Sequence, residues 1–322
     1  MLDTDVMDEN EIQSNIDYMT KSHLRNVMQL AIFSTSSDTL YAINISKIQS
    51  FLIKDEVELL KPPSKSDYIN GLINIRGEVI SIVNFDAWVG DESQESEQQI
   101  IIICNYNQKK IGIIVKEIIR IEDKESSELH VPSSRDPKIS YVTHVKVKDD
   151  EKRMCIVFDA EKLLFDANVG DEDSKTTIYD INSYEPHKDG TMQIQSKKLV
   201  LIAEDSQIVI EKLREFFKKL QLNFKIFENG EDLINDVITL DPEDIGLIIT
   251  DIEMPIRNGY QVIKYIKQES IYGNVPVLSL TSMTNQGVHD KVTQLGALDL
   301  INKSDLKTLH RYIKEILEGE LV

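Results

Sequence analysis

The run Gly246-Leu-Ile-Ile-Thr-Asp251-Ile-Glu-Met-Pro255 constrains the fold of this chain more than any other stretch. Leu247 to Thr250 shows no alternation of polar and apolar residues, the pattern of a strand buried on both faces. The strand ends abruptly on Asp251. Pro255 soon follows, and Asn258-Gly259 marks a turn. Doubly buried strands belong to parallel sheets covered by helices, and such sheets bind ligands beyond the carboxyl ends of their strands. Asp251 stands at such an end. Taken alone, it equally serves as an Asp that starts a turn.

Three further strand ends carry chemistry. The strand beginning at Lys198 stops on Glu204 and Asp205, the one from Val275 on the hydroxyl of Thr281, and the one from Leu298 on Lys303. Three carboxylates brought together repel one another unless a cation joins them, and oxygen ligands of this kind suit Mg²⁺. Acid pair, single Asp, Thr and Lys form a phosphoryl-transfer constellation. Asp251 is then the nucleophile, Thr281 donates to a phosphoryl oxygen, and Lys303 and the metal neutralise charge. Between these strands run helical stripes such as Val209, Leu213, Phe216, Phe217 and Leu220, or Leu306, Leu309, Ile313, Ile316 and Leu317. Strand–helix alternation with right-handed crossovers predicts a doubly wound five-stranded parallel sheet, flavodoxin-like in class.

The motif Asp-Ile-Glu-Met-Pro-x-x-x-Gly, with thirty residues from Asp251 to Thr281 and twenty-two more to Lys303, resembles the response-regulator receiver domain. The resemblance covers residues 197–320, and the domain is expected over 197–322. It implies that Asp251 accepts a phosphoryl group from a phosphohistidine on a sensor kinase. It also implies that Glu204, Asp205, Asp251 and the backbone carbonyl of Glu253 hold Mg²⁺. The sequence departs from the family at three places. Glu204 stands for the commoner Asp, Ser304 for the Pro that follows the Lys, and Leu300 for an aromatic switch residue. With Pro absent, Ser304 or Asp305 is expected to cap the last helix.

Residues 1–27 are mostly polar, with Ile12, Ile16 and Met19 at helical spacing. From 28 to 166 the pattern changes to short strands at close intervals, including Gln29–Phe33, Thr39–Ile45, Gln99–Cys104, Lys110–Val115, Tyr141–Val147 and Arg153–Phe158, closed by a short helix from Ala160 to Leu164. Such spacing predicts β-barrels, which remove exposed edges. Within it, Gly71-Leu-Ile-Asn-Ile-Arg76-Gly77-Glu-Val-Ile-Ser-Ile-Val-Asn84 reads as two strands joined by Arg-Gly, with Gly77 suited to positive φ. On chemistry alone Arg76 is an exposed turn residue. The segment is similar, however, to the Asn-Leu-Arg-Gly signature of the CheW-like coupling domain, with Tyr41-Ala-Ile, Gly112-Ile-Ile-Val and Cys155-Ile-Val-Phe-Asp159 in matching order. That resemblance implies a double β-barrel that binds chemoreceptor cytoplasmic tips and the chemotaxis histidine kinase, with Ile75, Arg76, Gly77 and Val79 as candidate contacts.

Residues 167–196 are polar, carry Gly170, Pro186 and Gly190, and read as a linker. The net charge of −19 argues against a nucleic-acid partner, which needs a basic patch. No run approaches a membrane span, and the acidic start is unlike a secretory signal. Cys104 and Cys155 fit buried thiols in a reducing cytosol. His23, His130, His144, His187, His289 and His310 show no metal spacing, and His310 is expected on the exposed side of the last helix. No Gly-rich phosphate loop is present, so a phosphodonor is required. A coupling domain ahead of a receiver resembles the CheV-type chemotaxis proteins. This implies a non-enzymatic cytoplasmic adaptor recruited to membrane chemoreceptor arrays and regulated by phosphorylation, for adaptation or as a phosphate sink. The alternatives are a response regulator whose β domain is an output module for another protein, and a metal-dependent phosphohydrolase.

Overall fold

The computed structural model describes residues 27–61, 68–91, 97–106, 109–132, 136–147, 151–168, 194–282 and 286–319. The helical spacing at Ile12, Ile16 and Met19 lies outside them, as does residue range 169–193 of the linker. Among the described residues, the chain is organised by three five-stranded sheets.

The first sheet holds β1 (Val27–Ser34), β2 (Leu40–Asn44), β8 (Glu117–Glu125), β9 (Ile139–Lys146) and β10 (Lys152–Phe158) in the order β8-β1-β2-β10-β9. Its edges, β8 and β9, are drawn together by side chains. Lys124 Nζ donates to the carbonyl of His144 at 2.6 Å, and Arg120 donates to that of Lys146 at 3.2 Å. The second sheet holds β3 (Ile48–Ile53), β4 (Ile69–Ile75), β5 (Glu78–Asn84), β6 (Ile100–Tyr106) and β7 (Lys109–Val115) in the order β3-β6-β7-β5-β4. Each is antiparallel apart from one parallel pair, β2 with β10 and β5 with β7. Gly112 of β7 is required by packing, since a Cβ there would meet Ile82 Cδ1 at 2.3 Å. Phe85 and Trp88 sit on the short helix α1 (Phe85–Val89), and their rings pack edge to face or tilted on those of Phe33, Tyr41 and Phe158 between the two lobes.

The third sheet is parallel throughout. It comprises β11 (Leu199–Ala203), β12 (Asn223–Phe227), β13 (Ile245–Asp251), β14 (Val277–Thr281) and β15 (Asp299–Asn302) in the order β12-β11-β13-β14-β15. Every residue of β13 is buried, and each of its leucine and isoleucine side chains contributes roughly 1.5–3 kcal/mol on burial. The last helix runs Leu306–Leu317 and begins on Asp305, whose carboxylate accepts from the Thr308 N–H at 2.9 Å. His310 is buried, not exposed, because Leu306, Leu309, His310 and Ile313 fall at i, i+3, i+4 and i+7 on one stripe. Cys104 and Cys155 are buried free thiols.

The helix α2 (Ala160–Asn168) that ends the β-rich half continues four residues beyond the expected Leu164. It packs on α3 (Gln207–Lys219), the first helix of the α/β half. One apolar core therefore continues from Phe85, Trp88 and Phe158 through Leu163 and Leu164 to Val209 and Leu213.

Candidate functional site at the carboxyl ends of the parallel strands

Parallel register assembles the site. Ala203 pairs with Thr250, Asp251 with Leu280, and Thr281 with Asn302. Glu204, Asp251, Thr281 and Lys303 consequently leave their strands within two residues of one level. Asp251 is buried, and its Oδ1 accepts the Ile252 N–H at 2.7 Å. Lys303 Nζ stands 3.1 Å from Asp251 Oδ2 and 2.9 Å from Glu204 Oε1, so one buried cation joins two strand ends. The Lys303 N–H donates to the Thr281 carbonyl at 2.9 Å, which fixes the loop after β15. The Asn302 carboxamide accepts from the Ser304 N–H at 2.9 Å and holds the same loop. Leu300, where the family commonly has an aromatic residue, is packed in the core below the site.

One carboxylate oxygen from each of Glu204, Asp205 and Asp251 lies within 4.8 Å of the other two. Burial raises the pKa of Glu204 well above the glutamate range. Lys303 opposes this, and Asp251 and Asp205 reinforce it. Asp205 is pushed up to about 7 by burial, then by the Asp251 charge. Glu204 Oε2 is enclosed with no hydrogen-bond donor facing it. Clustered hard oxygens, one of them without a donor, fit a divalent cation such as Mg²⁺. Glu253, two residues beyond Asp251, is half-buried, and its side-chain Oε2 is likewise enclosed without a donor.

Four residues of the β-rich half reach this place, and the sequence reading named none of them as site residues. The Tyr141 hydroxyl donates to Asp205 Oδ2 at 2.7 Å. Asp159 Oδ2 accepts from the Ser206 hydroxyl at 2.9 Å. Lys47 Nζ pairs with Glu161 at 3.2 Å, and Glu161 Oε1 lies 3.9 Å from Lys303 Nζ. Burial opposes the Lys47 charge, but Glu161, with Glu253 and Asp205 beyond it, outweighs burial and raises the Lys47 pKa. Burial likewise raises the Asp159 carboxyl to about 6, with help from the Glu161 charge. The only linear signals were a lysine in a short turn after β2 and acidic residues opening α2.

Ile75, Arg76, Gly77 and Val79 are not part of this cluster. They form the tip of the β4–β5 hairpin in the second sheet, where Ile75 pairs with Glu78. Arg76 and Gly77 have φ of 52° and 89°, both positive, where the sequence required this only of Gly77. Two positive-φ residues make the turn whose twist matches the strands it joins. The Gly77 N–H donates to Asn74 Oδ1 at 2.9 Å. Arg76 is exposed, and Val79 is 63% exposed.

Residues 29–168 match the family model described as the CheW-like domain, and residues 200–314 match that of the response regulator receiver domain. Over 323 residues the chain is 28% identical to chemotaxis protein CheV1 of Helicobacter pylori, covering 95% of this chain and 98% of that protein. It is also 28% identical over 324 residues to chemotaxis protein CheV2 of the same organism, covering 94% and 99%. Among solved structures it is similar to the scaffolding protein TtCheW from Thermoanaerobacter tengcongensis, at 20% identity and a TM-score of 0.36 over 41% of this chain and 88% of that one.

Proposed function

We propose, for a chain that belongs to the CheV-type chemotaxis coupling proteins, that Asp251 is the phosphoacceptor through which a chemotaxis histidine kinase regulates coupling. The protein is a chemotaxis adaptor, with a CheW-like domain for coupling and a receiver domain for control. We assign coupling to residues 28–166, the linker to 167–196 and reception to 197–322. The partners are chemoreceptor cytoplasmic tips and the kinase, and the place of action is the receptor array. No helix among the described residues is long and apolar enough to cross a membrane.

The observation that supports the phosphoryl reading best is Lys303 Nζ held between Asp251 Oδ2 and Glu204 Oε1. Asp251 attacks the phosphorus of a donor phosphohistidine. The P–N bond breaks as the P–O bond forms, and the imidazole nitrogen keeps the electron pair. Lys303 stands against the attacking carboxylate and is placed to meet charge developing on the phosphoryl oxygens. Thr281, buried at the end of β14, supplies a hydroxyl to one of those oxygens. Glu204, Asp205, Asp251 and the carbonyl of Glu253 would hold Mg²⁺, which when bound neutralises phosphoryl charge.

Two measurements test the proposal. Phosphorylated kinase should label the chain and fail to label Asp251→Asn, which keeps the size and most hydrogen bonding of the carboxylate. Equal labelling of the variant would assign the phosphoryl group to another residue. Receptor cytoplasmic fragments should retain the chain together with the kinase, and failure to do so would remove the coupling role.

A further inference from the structure

We infer that the CheW-like domain docks across the phosphoacceptor pocket, and that this docking and phosphorylation of Asp251 exclude one another, with the Lys47–Glu161 pair as the latch. The inference rests on Asp251 being the phosphoacceptor.

Access is the first argument. Glu204, Asp251, Thr281 and Lys303 are 0%, 4%, 3% and 3% exposed, although they sit at the open edge of a parallel sheet. The other domain lies against the rim of this site, at Asp205, Ser206 and Lys303. Tyr141 of β9 reaches Asp205, Asp159 reaches Ser206, and Glu161 at the start of α2 faces Lys303. The crevice along this seam, lined by Ile139, Tyr141, Asp159, Asp205, Gln207 and Glu228, encloses about 30 Å³. That is the scale of a water or two. Among the described residues, the docked domain stands at Asp205 and Lys303, where a phosphohistidine presented on another protein would approach Asp251.

Charge is the second argument. Glu161 is itself 6% exposed and shares two cations, Lys47 at 3.2 Å and Lys303 at 3.9 Å. Its carboxylate is an internal anion at the same lysine that a phosphoryl group requires. Phosphorylation would draw Lys303 to the phosphoryl oxygens and set a second, multiply charged anion on the far side of the lysine that Glu161 faces. Like charges at such range in a buried site repel strongly. The docked arrangement therefore disfavours the phosphoryl group. By reciprocity the phosphoryl group disfavours docking by the same factor. Lys47 lies 114 positions before Glu161, and both belong to the CheW-like domain. Their pairing thus holds the anion in place independently of the receiver.

The test uses the full chain, Mg²⁺ and phosphoramidate, whose P–N bond breaks as the Asp251 oxygen bonds phosphorus. Ammonia leaves with the electron pair and a proton from water. Labelling of Asp251 should be faster by about fivefold or more in Glu161→Gln than in the natural chain, the lower end of ordinary coupling. Lys47→Met should be faster as well. Scattering by the natural chain supplies a readout that does not depend on variants folding. Saturation with beryllofluoride and Mg²⁺ should raise its radius of gyration as the domains part. Equal initial rates, a slower Glu161→Gln or Lys47→Met, or an unchanged radius at saturation would each overturn mutual exclusion. A label on a residue other than Asp251 would overturn the phosphoacceptor reading first, and this inference with it.

Discussion

A Cβ placed on Gly259 would stand 2.2 Å from the carbonyl oxygen of Asp251. Gly259 opens the helix Gly259–Lys264, and its N–H donates to the Ile252 carbonyl at 3.1 Å. The glycine lets this helix lie directly behind the carboxylate. Gly259→Ala must push either the helix or the Asp251 loop outward, at about 1–3 kcal/mol, the ordinary cost of overpacking. Urea unfolding should show a lower midpoint, and phosphodonor labelling of Asp251 should slow with it. An unchanged midpoint would mean that the loop yields freely.

Mg²⁺ should stabilise the chain. Three carboxylates lie within 4.8 Å of one another, and Glu204 Oε2 lacks a donor. A cation bound to the folded state alone adds stability by mass action, about 1.4 kcal/mol at ten times the dissociation constant. That corresponds to roughly 2–4 °C in melting temperature. The Mg²⁺-dependent increment should shrink in Asp205→Ala, with each protein compared to its own metal-free melt so that loss of the Tyr141 bond cancels. A melt indifferent to Mg²⁺ would argue against a metal site.

The parallel sheet and its loaded strand ends were legible because parallel strands present their carboxyl ends at one edge. Residues distant in sequence but alike in position, such as Glu204, Asp251 and Lys303, therefore meet by topology alone. The strand β3 went unnamed because its half-buried alternation, with every second residue of Ile48–Ile53 exposed, is short and flanked by polar turns. The strand β12 went unnamed for the same reason, with Asn223 and Lys225 exposed. The burial of His310 was missed through too narrow a stripe. The cover over the acidic site was not legible at all. Lys47, Tyr141, Asp159 and Glu161 each look like ordinary surface residues of a β domain. Only the packing of α2 on α3 turns them toward Asp205 and Lys303.

Acid should weaken the Glu161 contribution. Burial alone would raise this carboxyl. The Lys47 and Lys303 charges outweigh burial and depress it from 4.5 to about 2. A depressed carboxyl stabilises the fold fully above its unfolded value and loses that contribution as pH falls through its folded value. The stability difference between the natural chain and Glu161→Gln should therefore be present at pH 6, on the order of a few kcal/mol at most. It should decline from about pH 4.5 toward about pH 2. A difference that stays constant over that window would mean that Glu161 acts through packing rather than charge.

Arg76 separates coupling from phosphoryl chemistry. It sits at the exposed tip of the β4–β5 hairpin with φ of 52°, beside the 63%-exposed Val79. Alanine and arginine share the same unease at positive φ, so Arg76→Ala leaves the turn as it was and removes the exposed side chain beyond Cβ, guanidinium included. Stability should change by no more than about 0.5 kcal/mol. If the tip contacts a receptor or the kinase, loss of a planar group that makes two directed bonds to a carboxylate should weaken binding by about 1–3 kcal/mol. Phosphoramidate labelling of Asp251 should be unchanged, because Arg76 at the hairpin tip is no part of the Lys47–Glu161 seam beside the site. Isothermal titration of receptor fragments and phosphoramidate labelling on the same variant decide the matter. Unchanged affinity would return Arg76 to the ordinary role of a turn residue. Altered labelling would mean that the hairpin tip and the phosphoacceptor site communicate through the docked domains.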